Sequence, residues 1–204
     1  MFTCINKINN LYFNLKYNSV LLANYFLIFY AFFLPISKDI SNIAFTIVII
    51  LFFVDGNIKN KLKFALKDKV VFSILIFVTV HMLWLLGTDY FEYAIIKLSY
   101  MKHYLSIIII VTMVLREFVI KIISAFVLSM LFSEICSYFI FFDFIEPFNN
   151  ATKINPVPFM LNHTVYSVFL ALSLGILLYN LFEKELKNNY ISKLIILFFT
   201  ITIT

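Results

Sequence analysis

The sequence predicts an all-α fold, a polytopic transmembrane helical bundle of about six complete spans plus a truncated seventh. Three observations predict it. Of 204 residues, 63% are hydrophobic and 13% charged, against about 45–50% and about 25% in soluble domains. Mean hydropathy is +0.98. The apolar residues gather in runs separated by short clusters of lysine, a pattern set by membrane topology rather than by a soluble core.

Composition also excludes function classes. A pI near 9.1 suggests nucleic acid, but the lysines concentrate in one short loop, which topology explains without such a partner. Cys4 and Cys136 offer neither metal spacing nor a persuasive disulfide. With 26 Phe, 12 Tyr and only 3 Gly, the helices are bulky and carry few small-residue stripes for close contact. The bias to Ile, Phe, Asn, Lys and Tyr matches an AT-rich coding sequence, so a single bulky residue means little.

The chain divides into a polar amino-terminal segment, residues 1–19 with Lys7 and Lys16, and a membrane region, residues 20–204. The first run, Val20 to Ile36, is followed by another hydrophobic run rather than by a small-residue cleavage site, so it reads as a retained span. The second, Ile40 to Val54, ends at Asp55-Gly56 and is short against the roughly 20 residues of a straight crossing. Together they predict a tight helical hairpin. Lys59, Lys61, Lys63, Lys67 and Lys69 then face only Asp68; such a loop is retained in the cytoplasm, and the functional alternative is an anionic-lipid site.

Val70 to Leu86 forms the third span, with an acidic and aromatic outer junction at Gly87 to Glu92. Trp84, Tyr90, Phe91 and Tyr93 read as an aromatic belt, and Tyr93 to Lys102 as an interfacial helix. The fourth span, about His103 to Leu115, leads to Arg116, Glu117 and Lys121 on the cytoplasmic side. The fifth, about Ile122 to Phe142, carries Glu134. A carboxylate at a helix centre costs about 2.5–3.5 kcal/mol on insertion scales, so it must face protein or water, or carry a proton. Two readings stand: a functional intramembrane group, or a neutral Glu hydrogen-bonded between helices near Ser133 and Ser137.

Residues 143 to 158 form an outer loop. Pro156 and Pro158 disfavour helix before them, so the next helix is expected from about Phe159 to Phe182. Asn162, His163, Thr164, Tyr166 and Ser167 fall in its first turns, ahead of the apolar run Val168 to Leu178. A helix so divided is placed with its polar end at a water boundary. Glu183 to Lys187 mark the next cytoplasmic turn, so the basic segments alternate with outer ones and the amino terminus is inside. The last 14 residues, Ile191 to Thr204, rise about 21 Å as helix, short of a core about 30 Å thick. The expectation is an amino-terminal piece of a longer protein, the alternative being a tilted or re-entrant last helix.

The order of these elements, the Leu34-Pro-Ile-Ser37 end of the first span, the Tyr93 to Tyr104 approach to span four and, above all, Pro156-Val-Pro-Phe-Met-Leu-Asn-His-Thr-Val-Tyr-Ser-Val-Phe-Leu-Ala171 resemble the O-antigen ligase and O-antigen polymerase superfamily. The resemblance covers most of the chain from about Val20 and implies a multi-pass protein of the bacterial inner membrane. The implied reaction transfers a glycan from undecaprenyl diphosphate, in the outer leaflet, to lipid A-core or another glycan. A glycosyl diphosphate brings its own leaving group, so such an enzyme needs cations, a base for the acceptor hydroxyl and electrostatic help for an oxocarbenium-like transition state. No metal or cofactor is implied, and neither a glycine-rich phosphate loop nor a carboxylate pair at metal spacing is present in the sequence.

The family places an arginine near the start of the helix matching Phe159 to Phe182, and a catalytic histidine in a large outer loop further along. Here the only arginine is Arg116, and the catalytic residues are expected beyond Thr204. Lys153 is the nearest outer cation to the focal helix, without the bidentate fork of arginine. The substrate-binding candidates are therefore Lys153, Asn162, His163 and Tyr166, with Glu134 as the intramembrane polar candidate. His163 can orient an acceptor or contact the diphosphate; the plainer reading is an interfacial histidine bonded to a neighbouring helix. His81 and His103 read as packing or interface residues, and the tripeptides at Asn150 and Asn162 as chance matches to a glycosylation signal. The other function class is a transporter or flippase subunit for a lipid-linked glycan, built on Glu134 and His81. A non-functional remnant of a ligase gene is the third.

Overall fold

The computed structural model describes residues 2–84, 87, 92, 104–146, 157–159, 162–182 and 195–196, with side chains described from 18 to 180 and at 195–196. Among these residues the fold is all helical, without a strand. The helices are α1 (Phe2–Phe33), α2 (Lys38–Asp55), α3 (Ile58–Ala65), α4 (Lys69–Trp84), α5 (Tyr104–Met113), α6 (Arg116–Phe141) and α7 (His163–Phe182). The chain forms two compact units, Met1–Asn24 with Ile47–Arg116, and Tyr25–Thr46 with Glu117–Thr204.

Two described helices, α6 over Arg116–Phe141 and α7 over His163–Asn180, are long and apolar enough to cross a membrane. A third counts if α2 and α3, bent by 114° at a short break, form one broken span. That is fewer than the six complete spans expected from the apolar runs. Length excludes α4, whose 16 residues rise about 24 Å, whereas the 26 residues of α6 rise about 39 Å, against a hydrocarbon core about 30 Å thick. Other boundaries shift too. Helix α1 runs through the boundary expected at residue 19, and Arg116, Glu117 and Lys121 lie in the opening turns of α6 rather than between spans. The expected interfacial helix at Tyr93 to Lys102 lies outside the described residues.

In the first unit, Asp55, Gly56 and Asn57 make the α2–α3 bend. Gly56 (φ 71°) and Asn57 (φ 53°) are both left-handed, a conformation that suits glycine and is tolerated by asparagine. The carbonyl of Asn57 then accepts from the amides of Asn60 and Lys61, opening α3. Lys61, read in the sequence as one of five loop lysines, is instead drawn inward. Its Nζ lies 2.7 Å from Asp55 Oδ2, with side-chain exposures of 11% and 3%, donates to the carbonyl of Phe52 at 3.1 Å, and sits 4.2 Å from the Phe52 ring centre. Among the described residues the Asp55 carboxylate is the only one that Lys61 meets, and its other oxygen, Oδ1, is buried without a hydrogen bond there.

The same unit repairs a second break. Helix α5 ends at Met113 and α6 begins at Arg116, which frees backbone groups that helix would have paired. The side chain of Asn24, fully buried, takes two of them. Its Nδ2 donates to the Met113 carbonyl at 2.9 Å, and its Oδ1 accepts from the Leu115 amide at 2.9 Å. A lone asparagine in the apolar run Val20 to Ile36 was the available signal, and sequence reasoning passed over it.

In the second unit the predicted hairpin is present. Residues 34–37 turn between α1 and α2 with Pro35 fully buried. The Ser37 amide donates to the Phe33 carbonyl at 2.8 Å, while Tyr30 and Phe45 meet across the turn at 5.2 Å. At its far end α6 closes with Asp143 left-handed (φ 61°). The Asp143 amide donates to the Ile140 carbonyl and that of Phe144 to Phe139, a Schellman cap whose apolar contact is the Phe139–Phe144 ring pair at 6.1 Å.

Replacing Asn24 by leucine leaves the Met113 carbonyl and the Leu115 amide unpaired. The expected loss is about 2–6 kcal/mol at roughly 1–3 kcal/mol per abandoned group, read by unfolding in mixed micelles. Lys61→Met, which strands the Asp55 charge, is expected to cost about 3–5 kcal/mol, with the double variant Asp55→Leu/Lys61→Met recovering most of it. Equal losses in the single and double variants refute the coupling.

Candidate functional site

The site candidates lie along α6 and α7. The two helices run antiparallel: Glu134 pairs with Tyr166, and further back along α6 Phe126 meets Phe169 edge-on at 5.5 Å. Their common core comprises Ala31, Phe126, Met130, Tyr166, Leu170, Leu177 and Ile196. On α6 the buried positions Phe126, Ser129, Met130, Ser133, Glu134, Ser137 and Ile140 recur every three or four residues, the spacing of one helix face. Helix α7 answers with Tyr166, Leu170, Ser173 and Leu177. Serine at three successive turns of α6 gives a narrow surface on which a neighbouring helix can pack closely.

Glu134 is 1% exposed, and the Tyr166 hydroxyl donates to its Oε2. The structure thus brings together two residues assigned to different roles from sequence, one intramembrane and one at the substrate end. Glu134 thus has a hydrogen bond between helices, with the Tyr166 phenol as a donor. The hydroxyls of Ser129 and Ser133 are buried without a hydrogen bond of normal geometry, with Ser133 beside the same phenol. Ser173 bonds back to the Phe169 carbonyl at 2.9 Å.

The head of α7 is built differently from expectation. The helix begins at His163, four residues later than the prolines suggested, and Phe159 is a bend. Asn162 supplies the reason. Its Oδ1 accepts from the Thr164 amide at 3.2 Å, the N-cap bond that opens a helix. Pro158 is fully buried, and Phe159 stacks on Phe132 of α6 at 6.0 Å, which ties the approach segment to α6.

Asn162, His163 and Thr164 are all exposed. His163 Nδ1 lies 3.0 Å from Asn162 Oδ1 and 3.3 Å from Thr164 Oγ1. Because the Thr164 amide identifies the oxygen of the Asn162 side chain, His163 must donate from Nδ1, and in the neutral imidazole Nε2 is then the acceptor. Nε2 makes no hydrogen bond among the described residues. The partners of His163 are therefore on its own first turn and not on a neighbouring helix.

The structure places Asn162 and His163 together at the mouth of α7 and commits the Tyr166 hydroxyl to Glu134, inside the helix pair. Lys153 and His103 lie outside the described residues. His81 bonds back to the Phe77 carbonyl at 2.9 Å and packs on that ring at 4.2 Å, a packing arrangement. Trp84 is exposed. Among the described residues no group of three His, Cys, Asp or Glu could hold a metal. Away from the head of α7, a half-open groove of about 640 Å³ runs between α6 and α7, lined by Ile120, Ser124, Ala171, Gly175, Tyr179 and Asn180 among others.

The Glu134–Tyr166 bond yields a measurable coupling. Tyr166→Phe is expected to cost about 1.5–3 kcal/mol if the carboxylate is charged and about 1 kcal/mol if it is neutral. In a cycle with Glu134→Gln, the interaction energy in mixed-micelle unfolding should exceed about 0.5 kcal/mol; strict additivity would deny the contact. No family model, curated protein or solved structure matches this chain.

Proposed function

We propose that the chain is a multi-pass protein of the bacterial inner membrane that works as an O-antigen ligase-type glycosyltransferase. It passes a glycan from undecaprenyl diphosphate to lipid A-core at the outer face. The finer topology belongs to this reading: about six complete spans, amino terminus inside, and the head of α7 at the outer leaflet. What supports it is the resemblance of the segment Pro156 to Ala171 to that superfamily, together with one observation at the site. An exposed histidine stands at the mouth of a 20-residue apolar helix, with Nδ1 held by Asn162 and Nε2 left as an acceptor.

The chemistry follows from that tautomer. An acceptor sugar hydroxyl donates its proton toward Nε2, which fixes the oxygen for attack on the anomeric carbon. Asn162 keeps the ring in the productive tautomer while also capping α7. The diphosphate leaves with its charge held by a cation, for which Lys153 is the candidate. Polymerase chemistry, with a second glycan as acceptor, uses the same groups. The second reading is a lipid-linked glycan transporter; Glu134, buried in the middle of α6, favours it, since intramembrane carboxylates mark transport routes.

The test is the lipopolysaccharide ladder in a strain lacking its surface-polysaccharide ligase, complemented by the reading frame that encodes this chain. Restoration is expected, with His163→Ala lowering transfer by about 10²–10⁴-fold at matched protein level and His163→Gln retaining part of it. An unchanged ladder in His163→Ala overturns the assignment of the site. A ladder that is never restored while lipid-linked glycan accumulates overturns the ligase reading.

A further inference from the structure

Helix α3 and the residues after it carry an excess of positive charge, with four lysines that make no ion pair among the described residues. Of the two acids near it, Asp55 is paired with Lys61 at 2.7 Å. Asp68 caps α4, its Oδ1 accepting from the amides of Val70 at 2.8 Å and Val71 at 3.2 Å. Lys59, Lys63, Lys67 and Lys69 are all exposed, and none makes an ion pair among the described residues.

The same segment exposes apolar side chains that a water-facing loop would not keep. Ala65 is buried and Lys61 nearly so, which fixes the inward line of α3. Ile58, Leu62 and Leu66 flank that line on one side and Phe64 on the other, all exposed, with Phe64 at 62%. At 100° per residue, Lys59 and Lys63 fall opposite Ala65. A short helix with a buried line, apolar flanks and a basic far side lies in a membrane interface, its flanks among acyl chains and its lysines reaching the headgroups. The 114° bend after α2, held by left-handed Gly56 and Asn57 and by the Lys61–Asp55 pair, turns α3 away from the direction of the preceding helix.

We propose that α3 and the residues following it form a binding surface for anionic phospholipid headgroups, with Lys59, Lys63 and Lys67 contacting lipid phosphate and Leu62 and Phe64 among the acyl chains. Charge complementarity selects the occupant: four unpaired cations match an anionic leaflet, and the exposed apolar flanks select a lipid over a soluble anion. The inference is independent of the glycosyltransferase reading, which uses the head of α7.

The experiment equilibrates the purified full chain with an equal mixture of phosphatidylglycerol and phosphatidylcholine and measures retained lipid by mass spectrometry. The wild-type chain is expected to enrich phosphatidylglycerol several-fold over the bulk ratio. The triple variant Lys59→Gln/Lys63→Gln/Lys67→Gln should fall back to that ratio, whereas Lys121→Gln on α6 should not. The substituted lysines are exposed, and Lys61 is left in place to hold the bend. As a second readout, Phe64→Trp in a Trp84→Phe background should be quenched more by brominated phosphatidylglycerol than by brominated phosphatidylcholine. Bulk-ratio lipid on the wild type, enrichment that survives in the triple variant, or displacement of the lipid by inorganic phosphate would each overturn the proposal.

Discussion

A buried backbone group cannot turn to water, so each place where a buried stretch of this chain leaves helical geometry must be repaired by the protein itself. The described structure depends on two such repairs. At the gap between α5 and α6, the Asn24 side chain donates to the Met113 carbonyl and accepts from the Leu115 amide. At the α2–α3 bend, Lys61 bonds to the Phe52 carbonyl and pairs with Asp55. Lys61 Nζ also lies 3.3 Å from Met113 Sδ, so the two repairs adjoin at one methionine, itself fully buried. A lysine and an asparagine do what an unbroken helix would not require.

The α6–α7 pair shows the complementary economy. Where the helices are regular, backbone groups are satisfied and side chains are free for packing or chemistry. Most of the shared surface is apolar, and its serines admit close approach. The one carboxylate, Glu134, is held by the Tyr166 phenol in the manner expected of a buried polar group that keeps a partner. Tyr166 is one turn into α7, while Asn162 and His163 stand before and at its start. The pairing that anchors α7 to α6 therefore sits close beneath the group proposed to meet substrate, so the head of α7 is positioned by a buried contact rather than by a loop.

The exposed lysines after α2 and the exposed histidine on α7 are polar groups of different standing. The lysines sit beside exposed apolar flanks and make no ion pair among the described residues. His163 is oriented by a specific amide. Diffuse charge suits a surface of many headgroups, and a fixed tautomer suits one hydroxyl.

Much was legible in the sequence. Composition and the spacing of apolar runs determined an all-helical fold with helices able to cross a membrane, and Pro35 and Asp55-Gly56 marked where the chain turns. Asn162, His163 and Tyr166 were visible as polar residues at one end of an apolar helix, and Glu134 as a carboxylate needing a partner. Hydropathy sums along the chain, however, and is blind to contacts between distant residues. It could not tell that Asn24 reaches across 89 and 91 positions, that Lys61 turns inward while its neighbours stay exposed, or that Glu134 meets a phenol 32 residues away. Tertiary structure decided these points, since the cost of a buried polar group depends on what lies next to it in space.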